Sequence, residues 1–375
     1  MRLLLTGGGT GGHLFPLLAV VRQAKKIAQE KNIDLEVFFV GPRTIHQEKL
    51  AEEGVKIKNI SAGKWRRYGK QQGVGEYLNN FLDLFRFIGG FIASLWYLLI
   101  IMPDIVFSKG GYGSLPASFV SWLYWIPLFI HESDAVPGLA NFLEGKLARK
   151  IFLGFSEASQ YFPSKKVVVT GNPIREFFVQ IGQREKLIEE KATRTILVIG
   201  GSQGSQAINQ IILEILPALV ENYQVIHQCG ENNFREVNEL VKEVKLTNPD
   251  HYRLFSFLDE DQLKQYFSQA DLIISRAGAG SIAEIAAAGK VSILIPLINS
   301  ANEHQSKNAN ILAQSDAALV LDQTNLTPHL FLEKIHYLLD HLERCEEMIK
   351  NVRKFVYPDA ARKIAEEIMK TKFYV

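Results

Sequence analysis

Along the chain, short runs of apolar, β-branched and aromatic residues alternate with longer stretches whose apolar positions recur at helical spacing. RLLLTG, LEVFFVG, DIVFSKGG and PLFIHES read as strands in the first half, and a helix is expected from about Pro16 to Lys31 between the first two. The pattern restarts after a middle segment with TILVIGGSQGS, YQVIHQCG, YRLFSFL, LIISRAG and VSILIPL. Strands separated by helices build a parallel sheet covered by those helices. The fold class expected is therefore α/β, with two Rossmann-like doubly wound domains facing across a cleft. Their spans are residues 1–170 and 171–357, divided where Gly171, Asn172 and Pro173 break regular structure. The segment 358–375, after the Pro358 break, is expected to pack back on the first domain.

One segment departs from this rhythm. FIGGFIASLWYLLIIM at 87–102 is uncharged. A membrane span needs about 20 such residues, and this run contains Gly89 and Gly90 and leads into a strand. It reads first as a buried helix of the first domain, second as a helix partly buried and partly in contact with lipid, and third as a true transmembrane helix. Just upstream, Lys64, Trp65, Arg66, Arg67 and Lys70 precede the aromatic-rich YLNNFLDLFRF. Such a patch suits an anionic membrane surface, each basic residue adding roughly 1 kcal/mol of reversible adhesion.

Composition narrows the classes. The net charge of +2 is too small for a nucleic-acid field, so anions must be met at local sites. Cys229 and Cys345 are far apart and in no metal-ligand spacing, which suits a reducing compartment. MRLLLTGGG is too short an apolar stretch for a secretory leader, so a cytoplasmic setting is expected.

The chemistry concentrates at strand ends. GGGTGGHLFP follows the first strand; glycines there let backbone N–H groups at a helix N-terminus approach a diphosphate. Gly7, Gly9 and Gly12 also satisfy a dinucleotide fingerprint, but the second strand ends in Gly41, Pro42 and Arg43 where a ribose-binding acid is required. Arg43 leaves only an NADP variant open. His13, at the end of that loop, is a candidate general base, with a turn-capping role as the plain alternative. A second glycine loop, SKGGYGSLP, suggests an acceptor rich in phosphate, and HESDAVPG brings His131, Glu132, Ser133 and Asp134 to the same rim. That cluster lacks a second group to complete a metal shell, so sugar recognition or local structure is expected of it. In the second half GGSQGS repeats the cradle with Ser202 and Ser205, while SRAGAGSIAEIAAAG offers Arg276 and then Glu284, whose carboxylate suits the two hydroxyls of a ribose. Asp259, Glu260 and Asp261 begin what reads as a surface helix and not a donor-metal motif.

Taken in order, GGGTGGHLFP, GKWRRY, SKGGYGSLP, HESDAVPGLAN, TGNPIR, GGSQGS, SRAGAGSIAEIAAAG and HQSKNA resemble the MurG family, the N-acetylglucosaminyltransferases of peptidoglycan synthesis that convert lipid I to lipid II. The resemblance implies a GT-B fold, lipid I on the first domain and UDP-GlcNAc mainly on the second. Gly9, Thr10, Gly11 and Gly12 would cradle the acceptor diphosphate, with Gly110, Gly111 and Gly113 beside them. Phe257 and Leu258 would flank uracil and Glu284 would hold the ribose. Ser202, Arg175 and Arg276 would lie near the donor diphosphate, and Asp134, Ala279, Gly280, His304 and Gln305 around the sugar and phosphate. Two positions depart from the common pattern: HESD stands where many members have HEQN, and His304 with Gln305 where some have paired glutamines. No cofactor is required by this reading, and stimulation by Mg²⁺ stays open. It also implies a peripheral place on the cytoplasmic face of the bacterial membrane, a role in cell shape and division, and cell-wall and division proteins as partners. The competing readings are another GT-B enzyme, such as a glycolipid glycosyltransferase or UDP-GlcNAc epimerase, and a catalytically silent cell-wall scaffold.

Overall fold

The protein, seen in a computed structural model, is described over residues 1–8, 11–44, 47–63, 74–184, 193–201, 204–298 and 300–371. It forms two compact units, Met1–Ile174 with Asp359–Val375, and Arg175–Pro358.

The first unit runs β1 (Arg2–Thr6), α1 (Gly11–Glu30), β2 (Glu36–Gly41), α2 (Glu48–Glu52), β3 (Lys56–Asn59), α3 (Val74–Ile101), β4 (Ile105–Ser108), α4 (Leu115–Leu123), β5 (Leu128–Glu132), α5 (Leu139–Leu147), β6 (Lys150–Leu153) and β7 (Val167–Val169). Its sheet has the order β3-β2-β1-β4-β5-β6-β7, all parallel. Leu3, Leu4 and Leu5 are wholly buried in succession, as a strand covered on both faces requires. The strand order turns back between β1 and β4, which is where a doubly wound sheet opens a crevice at its carboxyl edge.

The second unit continues with α6 (Glu176–Arg184), β8 (Arg194–Ile199), α7 (Gln206–Asn222), β9 (Tyr223–Gln228), α8 (Phe234–Glu243), β10 (Tyr252–Phe255), α9 (Glu260–Gln269), β11 (Leu272–Ser275), α10 (Ala279–Ala288), β12 (Ser292–Leu294), α11 (His304–Gln314), β13 (Leu319–Val320), α12 (Pro328–Asp340) and α13 (Leu342–Val352). Its parallel order, β10-β9-β8-β11-β12-β13, reverses between β8 and β11. After Pro358 the chain returns to the first unit as α14 (Ala360–Lys370). Ala361, Ile364, Ala365 and Ile368, one helical face, join Leu17, Val21 and Ala24 of α1 in the core under β1.

Three details differ from the periodicity. α1 begins at Gly11, five residues ahead of Pro16; a proline reads as a helix start, yet here the glycines already supply the first turn. Residues 171–174 belong to the first unit, because His131 Nε2 meets the Gly171 carbonyl at 3.1 Å and Asn172 Nδ2 donates to the Ser133 carbonyl at 3.2 Å. And α3 is not a buried helix. Over Leu82–Ile101 it is long and apolar enough to cross a membrane, but Asp83, Ser94, Leu98 and Ile101 face the protein while Phe85, Ile92, Trp96, Leu99 and Ile100 are exposed. Trp122 and Trp125 at the end of α4, the helix packed beside it, are exposed too.

Candidate functional site

In the first unit the two glycine loops close on each other at the switch point. Lys109 N donates to the Thr6 carbonyl at 2.9 Å and Gly8 N to the Gly110 carbonyl at 3.3 Å, so the loop after β4 lies directly on the loop after β1. The fit leaves no room for side chains: a Cβ on Gly111 would stand 2.5 Å from the Gly8 carbonyl oxygen, and one on Gly113 would stand 2.4 Å from Pro42. Gly110 (φ 81°) and Gly111 (φ 86°) also take the left-handed backbone that glycine alone adopts freely. Gly12 is exposed on the first turn of α1, and His13 follows it, its Nε2 3.2 Å from where a Gly111 Cβ would be. The N-terminus of α1 and the backbone of both loops thus converge on one corner, with a half-buried imidazole beside it.

The charge state of that corner is set by burial first and by Lys109 second. Its side chain is 3% exposed and its ammonium bonds Ser133 Oγ. Burial, then the Lys109 charge, pull the His13 imidazole down to about 3, so the ring is neutral at physiological pH. Burial also pulls Lys109 down, against the attraction of Glu132 and Asp134. Glu132 is occupied structurally: it accepts from Asp134 N (2.9 Å), Gly138 N (3.1 Å) and Asn141 Nδ2 (2.8 Å), bracing the loop that carries Asp134. Burial pushes its carboxyl up, and Asp134 adds to the push. Among the described residues no group of three or more His, Cys, Asp or Glu is arranged to hold a metal ion.

The second unit repeats the device between β8 and β11. Gly201 (φ 84°) and Gly204 (φ 75°) turn the chain into α7, whose N-cap Ser205 accepts from Ile208 N at 3.3 Å. A Cβ on Gly204 would stand 1.9 Å from the Cys229 carbonyl oxygen, so only glycine closes this turn. Opposite, α10 starts after Gly278; Cβ atoms on Gly278 and Gly280 would meet nothing within 4 Å, which leaves backbone open to a ligand. One turn further, Glu284 Oε1 receives Arg175 Nη2 at 2.7 Å, with Arg175 9% and Glu284 19% exposed. The Arg175 guanidinium lies over Phe177 and Phe178.

Other candidates take less open positions. Arg276 spends Nη1 on the Ile295 and Pro296 carbonyls and Gln323 Oε1, at 3.0, 3.1 and 2.8 Å, which makes it a strut under the strand ends. Leu258 is buried and Phe257 half-buried between β10 and α9. Asp259 caps α9 by accepting from Gln262 N at 2.8 Å, as a surface helix start requires. Ala279 is buried at the first position of α10. His304 opens α11 after Asn302 (φ 54°) and Glu303 (φ 55°), two non-glycine residues in left-handed backbone, and Gln305 Oε1 accepts from Leu297 N at 3.0 Å. Gly9, Thr10, Ser202, Lys64, Trp65, Arg66 and Arg67 lie outside the described residues. Lys109 is the functional neighbour that the motif reading passed over. Its only sequence signal is a lysine set between a strand and a glycine pair.

Two doubly wound sheets, each with a glycine-lined corner at its switch point, define the GT-B fold, and the family comparisons make it that of a glycosyltransferase. Residues 3–153 match the glycosyltransferase family 28 N-terminal domain and residues 195–367 its C-terminal domain. The chain is 32% identical to the UDP-N-acetylglucosamine--N-acetylmuramyl-(pentapeptide) pyrophosphoryl-undecaprenol N-acetylglucosamine transferase of Borrelia hermsii, covering 98% of this chain and 96% of that one. It is 34% identical to the protein of the same name from Geobacter sulfurreducens, covering 98% of each. Among solved structures, Acinetobacter baumannii MurG superposes with a TM-score of 0.71 at 27% identity, over 98% of this chain and 99% of that one. An S. aureus MnaA–UDP structure also reaches 0.71, over 100% of this chain and 98% of that one, but at 13% identity shares the fold alone. The chain belongs to the MurG family.

Proposed function

We propose that the protein transfers N-acetylglucosamine from UDP-GlcNAc to the muramoyl hydroxyl of lipid I, with inversion, to give lipid II. Family membership over the full length carries the reaction, and the paired glycine loops of the first unit carry the acceptor role. In this reading residues 11–13 and 110–113, with Gly9 and Thr10, receive the acceptor diphosphate on backbone N–H groups. The hydroxyl oxygen attacks the anomeric carbon, the bond to UDP breaks, and the hydroxyl proton passes to neutral His13 Nε2 or Nδ1. The anionic diphosphate arriving beside His13 raises its basicity, opposing Lys109.

For the donor, Glu284 accepts from the ribose hydroxyls, Phe257 and Leu258 flank uracil, and the 200–205 turn with Ser202 and Arg175 meets the diphosphate. Arg276 lies near the same diphosphate, and Ala279, Gly280, His304 and Gln305 of the second unit meet the sugar and phosphate; Asp134, on the first unit, is the residue the family resemblance assigns to the donor sugar. Asp134 replaces an amide by a carboxylate, which accepts but cannot donate to the sugar.

Exposed Phe85, Ile92, Trp96, Leu99, Trp122 and Trp125 support a peripheral seat on the membrane that holds the acceptor. Lys64, Trp65, Arg66 and Arg67 would add attraction to anionic lipid. The reaction is tested by incubating the protein with radiolabelled UDP-GlcNAc and a lipid I analogue. Label should enter the lipid, and its failure to do so under conditions where UDP binds would refute the assignment.

A further inference from the structure

We infer that Glu144 is a positioning residue for the loop at 108–114: it holds both ends of the glycine turn and thereby sets how tightly an anionic acceptor is gripped. The inference rests on the reading that this loop meets the acceptor diphosphate. Glu144 sits within α5 and is 1% exposed. Its Oε2 accepts from Ser108 Oγ at 2.7 Å, and its Oε1 is bonded to Ser114 Oγ and, at 2.9 Å, to Ser118 Oγ. Ser108 ends β4 and Ser114 immediately precedes α4, so a single carboxyl clasps the loop where it enters and where it leaves. The same hydroxyls reach into the turn: Ser108 Oγ accepts from Gly110 N at 3.0 Å, and Ser114 Oγ lies 2.8 Å from the Gly111 carbonyl oxygen.

With Glu144 as a carboxylate the single Ser114 hydroxyl proton is shared between two acceptors, Glu144 Oε1 and the Gly111 carbonyl, the latter of which also accepts from Ser114 N at 3.1 Å. A proton on Glu144 gives each of these contacts a hydrogen of its own. Glu144 then donates to Ser114 Oγ, Ser114 donates to Gly111 O, and Ser108 and Ser118 donate to Glu144. Burial pushes this carboxyl up to about 7, against the pull of the three serines. The charged group acting on it is Glu132 from β5, which pushes the same way. Lys109, in the loop itself, is drawn to Glu132 and Asp134. The partners from β4 and α4 are uncharged serines. Loss of the proton therefore weakens one link in the turn and places a negative charge behind a site built for an anion.

The test measures acceptor KM with a lipid I analogue, and UDP affinity by calorimetry, from about pH 6 to about pH 8.5, the window around this carboxyl. In the wild type, acceptor KM rises several-fold with pH beyond the change seen in Glu144→Gln, whose profile stays near the low-pH value. Glu144→Ala raises acceptor KM by about 10-fold at every pH, the scale of one lost buried hydrogen bond, and UDP affinity is unchanged in both variants. A Glu144→Gln profile superimposable on the wild type overturns the inference. Should Glu144→Ala not fold, the isosteric Gln variant still decides. Gly111→Ala separates the two levels: if it leaves acceptor KM unchanged, the loop assignment itself fails. If it raises KM while Glu144→Gln tracks the wild type, only the role of Glu144 falls.

Discussion

At His13 a neighbouring charge adds to the effect of burial. Without Lys109 the burial cost remains but the repulsion goes, so Lys109→Met should raise the His13 titration midpoint from about 3 toward the ordinary value, a shift readable by NMR. His13→Ala should lower turnover by about 10²- to 10⁴-fold while leaving UDP affinity intact; undiminished turnover removes it as the base. Glu284→Ala should weaken UDP by roughly 10- to 100-fold in calorimetry, the range for hydrogen bonds to a charged group. Buried histidines also set the acid limit. His13 and His227 are each held down to about 3, and His131 well below its usual value, all chiefly by burial. Below about pH 6.5 the unfolded chain binds protons that the native state refuses, so stability falls as pH falls, by up to about 1.4 kcal/mol per pH unit for each such group. Glu132 and Glu144, raised by burial, work in the opposite sense above about pH 4.5. The loss should thus be steepest below about pH 4.5, where they no longer offset it, and melting curves across this range check the shape.

At the scale of elements, the apolar runs that spell β1, β4, β5, β8 and β11 were legible because strands buried on both faces are continuously apolar. The glycine corners were legible because only glycine tolerates that approach. The two-sidedness of α3 was not. Both of its faces are apolar, and hydropathy cannot tell a face packed on a sheet from one left open. Lys109 and Glu144 escaped for another reason: their partners Ser133, Ser108 and Ser118 come from other elements, and no local spacing announces them. The open face of α3 yields a test, since Trp96→Ser with Trp125→Ser should cut co-sedimentation with anionic vesicles severalfold and leave UDP binding unchanged. Unaltered sedimentation would count against lipid contact through this face.

For the whole molecule, the return of α14 to α1 ties the first unit to residues that follow the second. Ile364 is wholly buried there, so Ile364→Ala should cost about 2–5 kcal/mol. Calorimetry should show the loss in the unit that holds α1, with UDP binding by Arg175–Pro358 retained.

That packing also orders events at the ribosome. α1 emerges early, but the helix that completes its core is encoded roughly 330 residues beyond Glu30, tens of seconds later at usual translation speeds. Until then the nascent N-terminal half carries an unfinished interior and an outward greasy helix together, so the half that emerges earlier is the later to mature. Its exposure to chaperones, or to the bilayer itself, lasts for most of synthesis.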